Sequence, residues 1–459
     1  MPGSVLSQSA SPQRNADIEQ PANENTPLLP GTEAVVSPVA AKATRLLYLD
    51  HIRGLLMVHQ SIDHSRIFLS SIVIHHEEWW NMPDFKGSLY HWFLMHKLLE
   101  GFMMTMGMSI ILFTMSRARM GWTWFSILKH FFIRGAVLVA FNFLMLPSGF
   151  GVVTTVLFAL GVNIFIGACI VALESVSTAK ITTLSARSRA ASEAARLATT
   201  ISIGCYVLAA MILSPMASWY TPSPAHQDDN VNWFFRFAFL PHKIMESDSV
   251  KLYSMYAPVP WMPFVLWGIA LQRTVTTYKL RPKDTGLLHL ALGTLMWIVF
   301  IPMRLAEGFG NINPEALHPS PRHSFINFFN LTKYPPSLAY TLCMLGIVHL
   351  LCALFILCEI KLKNSVWTSE RNPLIVFGRS AFFFYILHFY VFRAFRWVLT
   401  LTGDIDQSNG GGFMDQTGNL SDPAYWVSWV VGLVLLYYMC ERYAKFKAGT
   451  AAESIWRFF

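Results

Sequence analysis

Charge is scarce in this chain: only 14% of its 459 residues are Asp, Glu, Lys or Arg, against about 25% in an ordinary soluble protein. So few charges do not make a water-facing surface for a chain of this length, and 53% of the residues are hydrophobic. Cysteine is sparse too. The six present (Cys169, Cys205, Cys343, Cys352, Cys358 and Cys440) lie within apolar segments or at their ends. That placement excludes a disulfide framework in a polar loop, and no spacing suits zinc. They read as small buried hydrophobes. A phosphate-binding glycine loop, an HExxH helix, a GxSxG elbow and paired broken helices of the transporter kind are all missing. No metal is expected, and no repeat of solenoid period is seen. No cleavable signal peptide is expected either, because the first 40 residues are polar and rich in Pro, Ser, Ala and Asn. The net charge of +8 marks cytoplasmic loops rather than nucleic-acid affinity.

What the chain has is apolar runs of membrane length. Hydropathy places about ten spans, near 46–66, 91–115, 124–146, 151–174, 199–218, 257–275, 285–304, 335–359, 373–400 and 425–441. The expected fold is an all-α, polytopic transmembrane helical bundle with the lipid bilayer as its first partner. Residues 1–43 form a cytosolic tail expected to be disordered, 44–441 the membrane domain, and 442–459 a cytosolic C-terminal tail. Basic residues alternate from loop to loop, and the loop at 401–424 has neither Lys nor Arg, so both termini are expected in the cytosol. The sequons Asn330-Leu331-Thr332 and Asn419-Leu420-Ser421 fall on the opposite side. Glu24-Asn25-Thr26-Pro27-Leu28-Leu29 resembles an acidic dileucine sorting signal, which suits a vacuolar, lysosomal or other endomembrane location.

The first span is the anomaly. Leu46 to His64 holds Asp50, Arg53, Asp63, His51, His59 and His64. An ionised residue at mid-membrane costs roughly 2.5–3.5 kcal/mol even on the lenient insertion scale, so such groups must face a protein interior or a wet cavity. At about 100° per residue, His64 returns to within about 40° of Asp50 and about 20° of Arg53. These three therefore share a stripe along the helix, with His59 and Asp63 off it. His96 opens the second span, an antiparallel neighbour, so His64 and His96 could face one cavity, with His91 as a substitute. A neutral imidazole can take a proton from a hydroxyl or amine, and Asp63 or Asp50 is the expected orienting carboxylate. Further along, Thr332-Lys333-Tyr334-Pro335-Pro336-Ser337 places Lys333 at a span opening. Phe377-Gly378-Arg379-Ser380 leads to Tyr385 and His388, and Arg304 ends the seventh span. Arg379 offers a planar fork for phosphate. Lys333, Arg304 and His388 are candidates for binding an acceptor.

These segments together carry a resemblance. Leu49-Asp50-x-x-Arg53-Gly54 with a histidine fourteen residues past the aspartate is similar to the first-span signature of integral-membrane acyltransferases. With His96, Thr-Lys-Tyr-Pro-Pro-Ser at 332–337 and Gly-Arg-x-x-Phe-Phe-Phe-Tyr-Ile-Leu-His at 378–388, the chain resembles the group related to heparan-α-glucosaminide N-acetyltransferase over about residues 44–440. The resemblance implies an enzyme that draws acetyl-CoA from the cytosol and acetylates an acceptor on the far side. It assigns core roles to Asp50, Arg53, His64 and His96 and secondary ones to Lys333, Arg379 and His388. Two departures stand out: Ala381 replaces a proline often found in the group, and no counterpart of the histidine ahead of the second span is recognisable, so heparan sulfate is poorly supported as acceptor. The acceptor stays unassigned, a homodimer is compatible, and two other functions remain open: a proton-coupled transporter using the same stripe, and a non-catalytic membrane scaffold.

Overall fold

The computed structural model describes residues 45–69, 100–145, 152–184, 189–220, 232–240, 242–246, 251–311, 322, 328–329, 331–403, 422–451, 454 and 456. The N-terminal tail with its dileucine-like string, the acceptor asparagines of both sequons, His75, His76, His91 and His96 lie outside the described residues.

The described chain is overwhelmingly helical. The long helices are α1 (Leu47–Leu69), α2 (Glu100–Arg119), α3 (Trp124–Leu144), α4 (Val156–Leu184), α5 (Arg189–Tyr220), α7 (Pro258–Thr277), α8 (Pro282–Leu305), α9 (Leu338–Lys361), α11 (Ala381–Leu401) and α12 (Asp422–Ala448). Two short ones, α6 (Trp233–Phe239) and α10 (Pro373–Arg379), stand between them. Among the described residues, seven helices are long and apolar enough to cross a membrane: α3, α4, α5, α8, α9, α11 and α12. The other three long helices, α1, α2 and α7, are not among those seven. In α1 the charged stripe itself lowers the hydropathy.

Local chemistry explains several boundaries. Thr123 and Ser337 cap α3 and α9 by accepting backbone N–H groups of Ser126 and Tyr340, which satisfies donors that a helix start leaves without partners. Proline occupies the first turn of α7, α8 and α10, where its missing N–H costs nothing. The single run expected over 373–400 is broken: α10 ends at Arg379, and Ser380 joins it to α11. The break turns Arg379 toward a cavity described below.

A small three-stranded sheet accompanies the helices, in the order β1–β3–β2. Here β1 is Val152–Thr154, β2 is His242–Glu246 and β3 is Lys251–Ser254. β1 pairs parallel to β3, and β2 antiparallel to it. Asn142 ties α3 to β1: its Nδ2 donates to Val153 O (2.9 Å), and its Oδ1 accepts from Thr155 N (2.8 Å) and Thr155 Oγ1 (2.6 Å). Asn142 is 1% exposed, so Asn142→Leu leaves these groups without partners. The expected cost is about 2 kcal/mol, read as a lower midpoint in a thermal melt of the detergent-solubilised protein.

Helix packing depends on close backbone approach. A Cβ at Gly54 would overlap Leu374 O, and one at Gly378 would overlap Asp50 O, so α1 and α10 cross on two glycines. Gly107 and Gly268 make the same reciprocal contact between α2 and α7, and Gly135 and Gly161 between α3 and α4. Small residues at crossings are the usual means of helix association in lipid, where there is no hydrophobic drive between helices.

Candidate functional site

One face of α1 organises the site. Asp50, Arg53, Met57 and Gln60 all line a cavity of about 460 Å³. Successive steps of three and four residues keep them on one stripe, and the same stepping reaches His64. Asp50 is held by Arg45 (2.5 Å) and lies 3.8 Å from Arg53. Arg53 also donates to Thr105 O (3.1 Å) and to Ser109 Oγ on α2, which fixes its guanidinium in the wall.

The cavity is strongly cationic. Arg45, Arg53, Arg134, Arg379 and Lys447 all line it, and Asp50 is the one carboxylate among its described lining residues. Arg45 precedes α1, Arg379 ends α10 and Lys447 lies at the end of α12. Arg379 is also 3.4 Å from Glu370, whose side chain is 80% exposed, and a contact so open to water does little to neutralise it. The rest of the wall is largely apolar, with Met106, Ile110, Phe131, Leu157 and Phe382, and it includes Tyr385.

Beside Tyr385 lies a pair of histidines. His64 Nδ1 and His388 Nε2 are 2.7 Å apart, and their rings stack at 5.0 Å with 15° between planes. The Tyr385 ring is 6.1 Å from that of His64 and 5.5 Å from that of His388. His388 Nδ1 is 3.1 Å from Phe384 O. A carbonyl oxygen only accepts, so His388 Nδ1 carries the proton and, in the neutral ring, its Nε2 is an acceptor. His64 Nδ1–H must then be the donor between the rings, which leaves the lone pair of His64 on Nε2. A backbone carbonyl thus sets the tautomer of both imidazoles.

The sequence-predicted site residues separate into several places. Asp50 and Arg53 line the cavity, Arg379 stands in its rim, and His64 and His388 form the pair. Asp50 does not orient His64: fourteen helical residues put the two about 21 Å apart along the axis, and Arg45 engages its carboxylate. The group on His64 Nδ1 is His388. Asp63 is buried at 7% exposure, off the stripe, and its charge bears on Tyr334. Lys333 is also buried, with its Nζ 5.2 Å from the Tyr334 ring centroid and 5.9 Å from that of Tyr256. The hydroxyls of those two tyrosines are 2.8 Å apart. Burial, the largest influence, pushes both phenols up from their ordinary value. Lys333 also bears on the fully buried Glu100, a residue that sequence reading passed over. Arg304 is a structural staple, donating to Phe328 O (2.8 Å) and Asn311 Oδ1 (2.5 Å).

Arg134 was the clearest omission. An arginine in the middle of the apolar helix α3 carries the same signal as Arg53, since ionisable groups within spans mark functional sites by default. Arg45 and Lys447 flank the membrane domain in sequence, where a basic residue signals topology rather than a site. A second histidine pair, His289 and His349, is 2.9 Å apart (Nδ1 to Nδ1), with Trp267 Nε1–H donating to His349 Nε2 at 2.8 Å. Neither lines the cationic cavity, and the pair reads as an internally bonded link between α7, α8 and α9.

Fold and site define the class as a helical protein with, among its described residues, seven helices long and apolar enough to cross a membrane and a cationic cavity whose Tyr385 adjoins a histidine pair. Comparison with models of known protein families and with curated proteins finds no match.

Proposed function

We propose that the protein is a polytopic membrane acyltransferase that moves an acetyl group from cytosolic acetyl-CoA to a hydroxyl or amine of an acceptor on the far side of an endomembrane. In this reading all ten long helices cross the bilayer and both termini are cytosolic. The observation that carries it is the cationic cavity whose wall includes Tyr385, beside the His64–His388 pair. Five basic side chains in its wall suit the phosphates of CoA. The apolar wall suits the pantetheine arm, whose thioester would then arrive beside the histidines. The likeness of residues 44–440 to the heparan-α-glucosaminide N-acetyltransferase group points the same way.

The chemistry follows from the tautomers. His64 Nε2 takes the proton of the acceptor O–H or N–H as its heteroatom attacks the thioester carbon. The carbon–sulfur bond breaks, the acetyl group passes to the acceptor, and the CoA thiolate recovers the proton from His64. His388 is the positioning residue: its Nε2 accepts from His64 Nδ1–H and supports the imidazolium as it forms. Its part resembles that of the carboxylate in a hydrolase triad, with a neutral acceptor replacing the charged one.

Labelled acetyl-CoA and purified protein test the proposal. Binding is expected, with acceptor-dependent release of CoA. Arg53→Ala should weaken acetyl-CoA about tenfold, or about 1.4 kcal/mol. Arg379→Ala should also weaken it, and by less at high salt than at low, because salt screens a partly exposed charge. No acetyl-CoA binding at any ionic strength, together with solute uptake that dissipates a proton gradient, would replace this reading with the transporter.

A further inference from the structure

A second, smaller cavity of about 190 Å³ lies on the other side of Tyr385. Tyr385 and Leu157 line both cavities, so these two side chains stand between them. Phe389 also lines the smaller one, and its ring is 4.7 Å from that of His64. Phe68, in the same wall, sits four residues past His64 on α1. The histidine pair is therefore one side chain away from both spaces.

We propose that this smaller cavity is the acceptor subsite, and that its acceptor is a hydroxyl or amine borne by a single-ring, mainly apolar body with an acidic group, rather than a sugar. The inference rests on the acyl-transfer reading above and adds the substrate class. The size fits one ring: an engineered apolar cavity of roughly 150 Å³ takes up benzene. Phe68, Tyr385, Phe389 and Tyr390 supply aromatic faces. Of the polar side chains in its wall, Asn142 and Thr155 are bonded to each other and to the backbone, which leaves few groups to hold sugar hydroxyls. Asn142 bonds to Val153 O and to Thr155 N and Oγ1, and Thr155 Oγ1 donates its proton back to Asn142. A polyhydroxylated ring would bring more hydroxyls than Tyr390 and Arg393 can bond, and burying the rest is costly. Arg393 is the one ionised side chain among the described lining residues, and it makes no ion pair among them. A carboxylate or comparable anion on the acceptor would meet its guanidinium.

Three probes decide it: 4-(aminomethyl)benzoate, benzylamine (the same ring without the acid) and glucosamine. Binding of each is read on the whole protein in nanodiscs by equilibrium dialysis without acetyl-CoA, so the result does not depend on catalysis. The expected order is 4-(aminomethyl)benzoate over benzylamine over glucosamine, with at least tenfold between first and last. Arg393→Ala should cost the acid probe about tenfold and leave benzylamine within twofold. Met145→Trp, which fills the cavity, should weaken both ring probes, with gel-filtration profiles checking that each variant is folded. Glucosamine binding best, equal effects of Arg393→Ala on both amines, or no ring probe binding because a lipid tail occupies the space would each overturn the assignment. Acetyl transfer with labelled acetyl-CoA then separates the two levels. Ring probes that bind without being acetylated count against acyl transfer, whereas acetylation of glucosamine alone counts against the subsite.

Discussion

His64→Ala should lower kcat for acetyl transfer by about a thousandfold, within the range of about 10²–10⁴ for loss of a general base. Acetyl-CoA affinity should change little, because the basic side chains proposed to hold it, Arg53 among them, line the cavity and His64 does not. His388→Ala removes the acceptor of His64 Nδ1–H and lets the imidazole turn. The expected result is about a hundredfold loss in kcat with KM for acetyl-CoA nearly constant. His388→Gln is the informative companion, since a glutamine can accept from His64 through its oxygen and donate through its amide. Partial recovery of kcat in His388→Gln over His388→Ala identifies a positioning role. Equal losses in the two would mean that His388 does something an amide cannot reproduce, and full activity in His64→Ala would remove the histidine pair from the mechanism.

Gly378→Ala is expected to be the most damaging small substitution. The added methyl meets the backbone oxygen of Asp50, an atom that no rotamer change can move aside. Overpacking of this kind costs roughly 1–3 kcal/mol, occasionally more. Here it should also abolish acetyl-CoA binding: separating α1 from α10 displaces Asp50, Arg53 and Arg379 together, and all three line the cavity. Gly204→Ala is the control. It lies within α5 with open space around its would-be Cβ, so the change should be neutral or stabilise by up to about 1 kcal/mol through helix propensity. Thermal melts of the two variants, with acetyl-CoA binding measured alongside, should diverge in opposite directions.

The stripe on α1 was legible in the chain because it obeys one periodicity. Asp50, Arg53 and His64 recur at helical spacing, and that spacing is set by backbone geometry whatever the rest of the molecule does. The long helices were legible for a similar reason, since apolar runs of membrane length admit few other structures. The break at Ser380 was not. Residues 373–400 are apolar throughout apart from a few polar and basic positions, and only the crossing of Gly54 and Gly378 requires the chain to stop and restart there. The small sheet was equally hidden, because β1 pairs with a strand about 100 residues later.

The partner of His64 shows the limit most plainly. Helical geometry aimed His64 at an interior, and its neighbour in sequence suggested a carboxylate to orient it. His388 lies 324 residues away, and no local pattern relates two side chains at that separation. By itself, the sequence determined which residues α1 presents on one face and that these must avoid lipid, because both follow from helical pitch and the cost of burying charge. Tertiary structure alone decided that Arg45, Arg134, Arg379 and Lys447 surround the same cavity as Arg53, and that His64 meets His388. Those are contacts between helices, and their positions depend on where glycines let backbones meet.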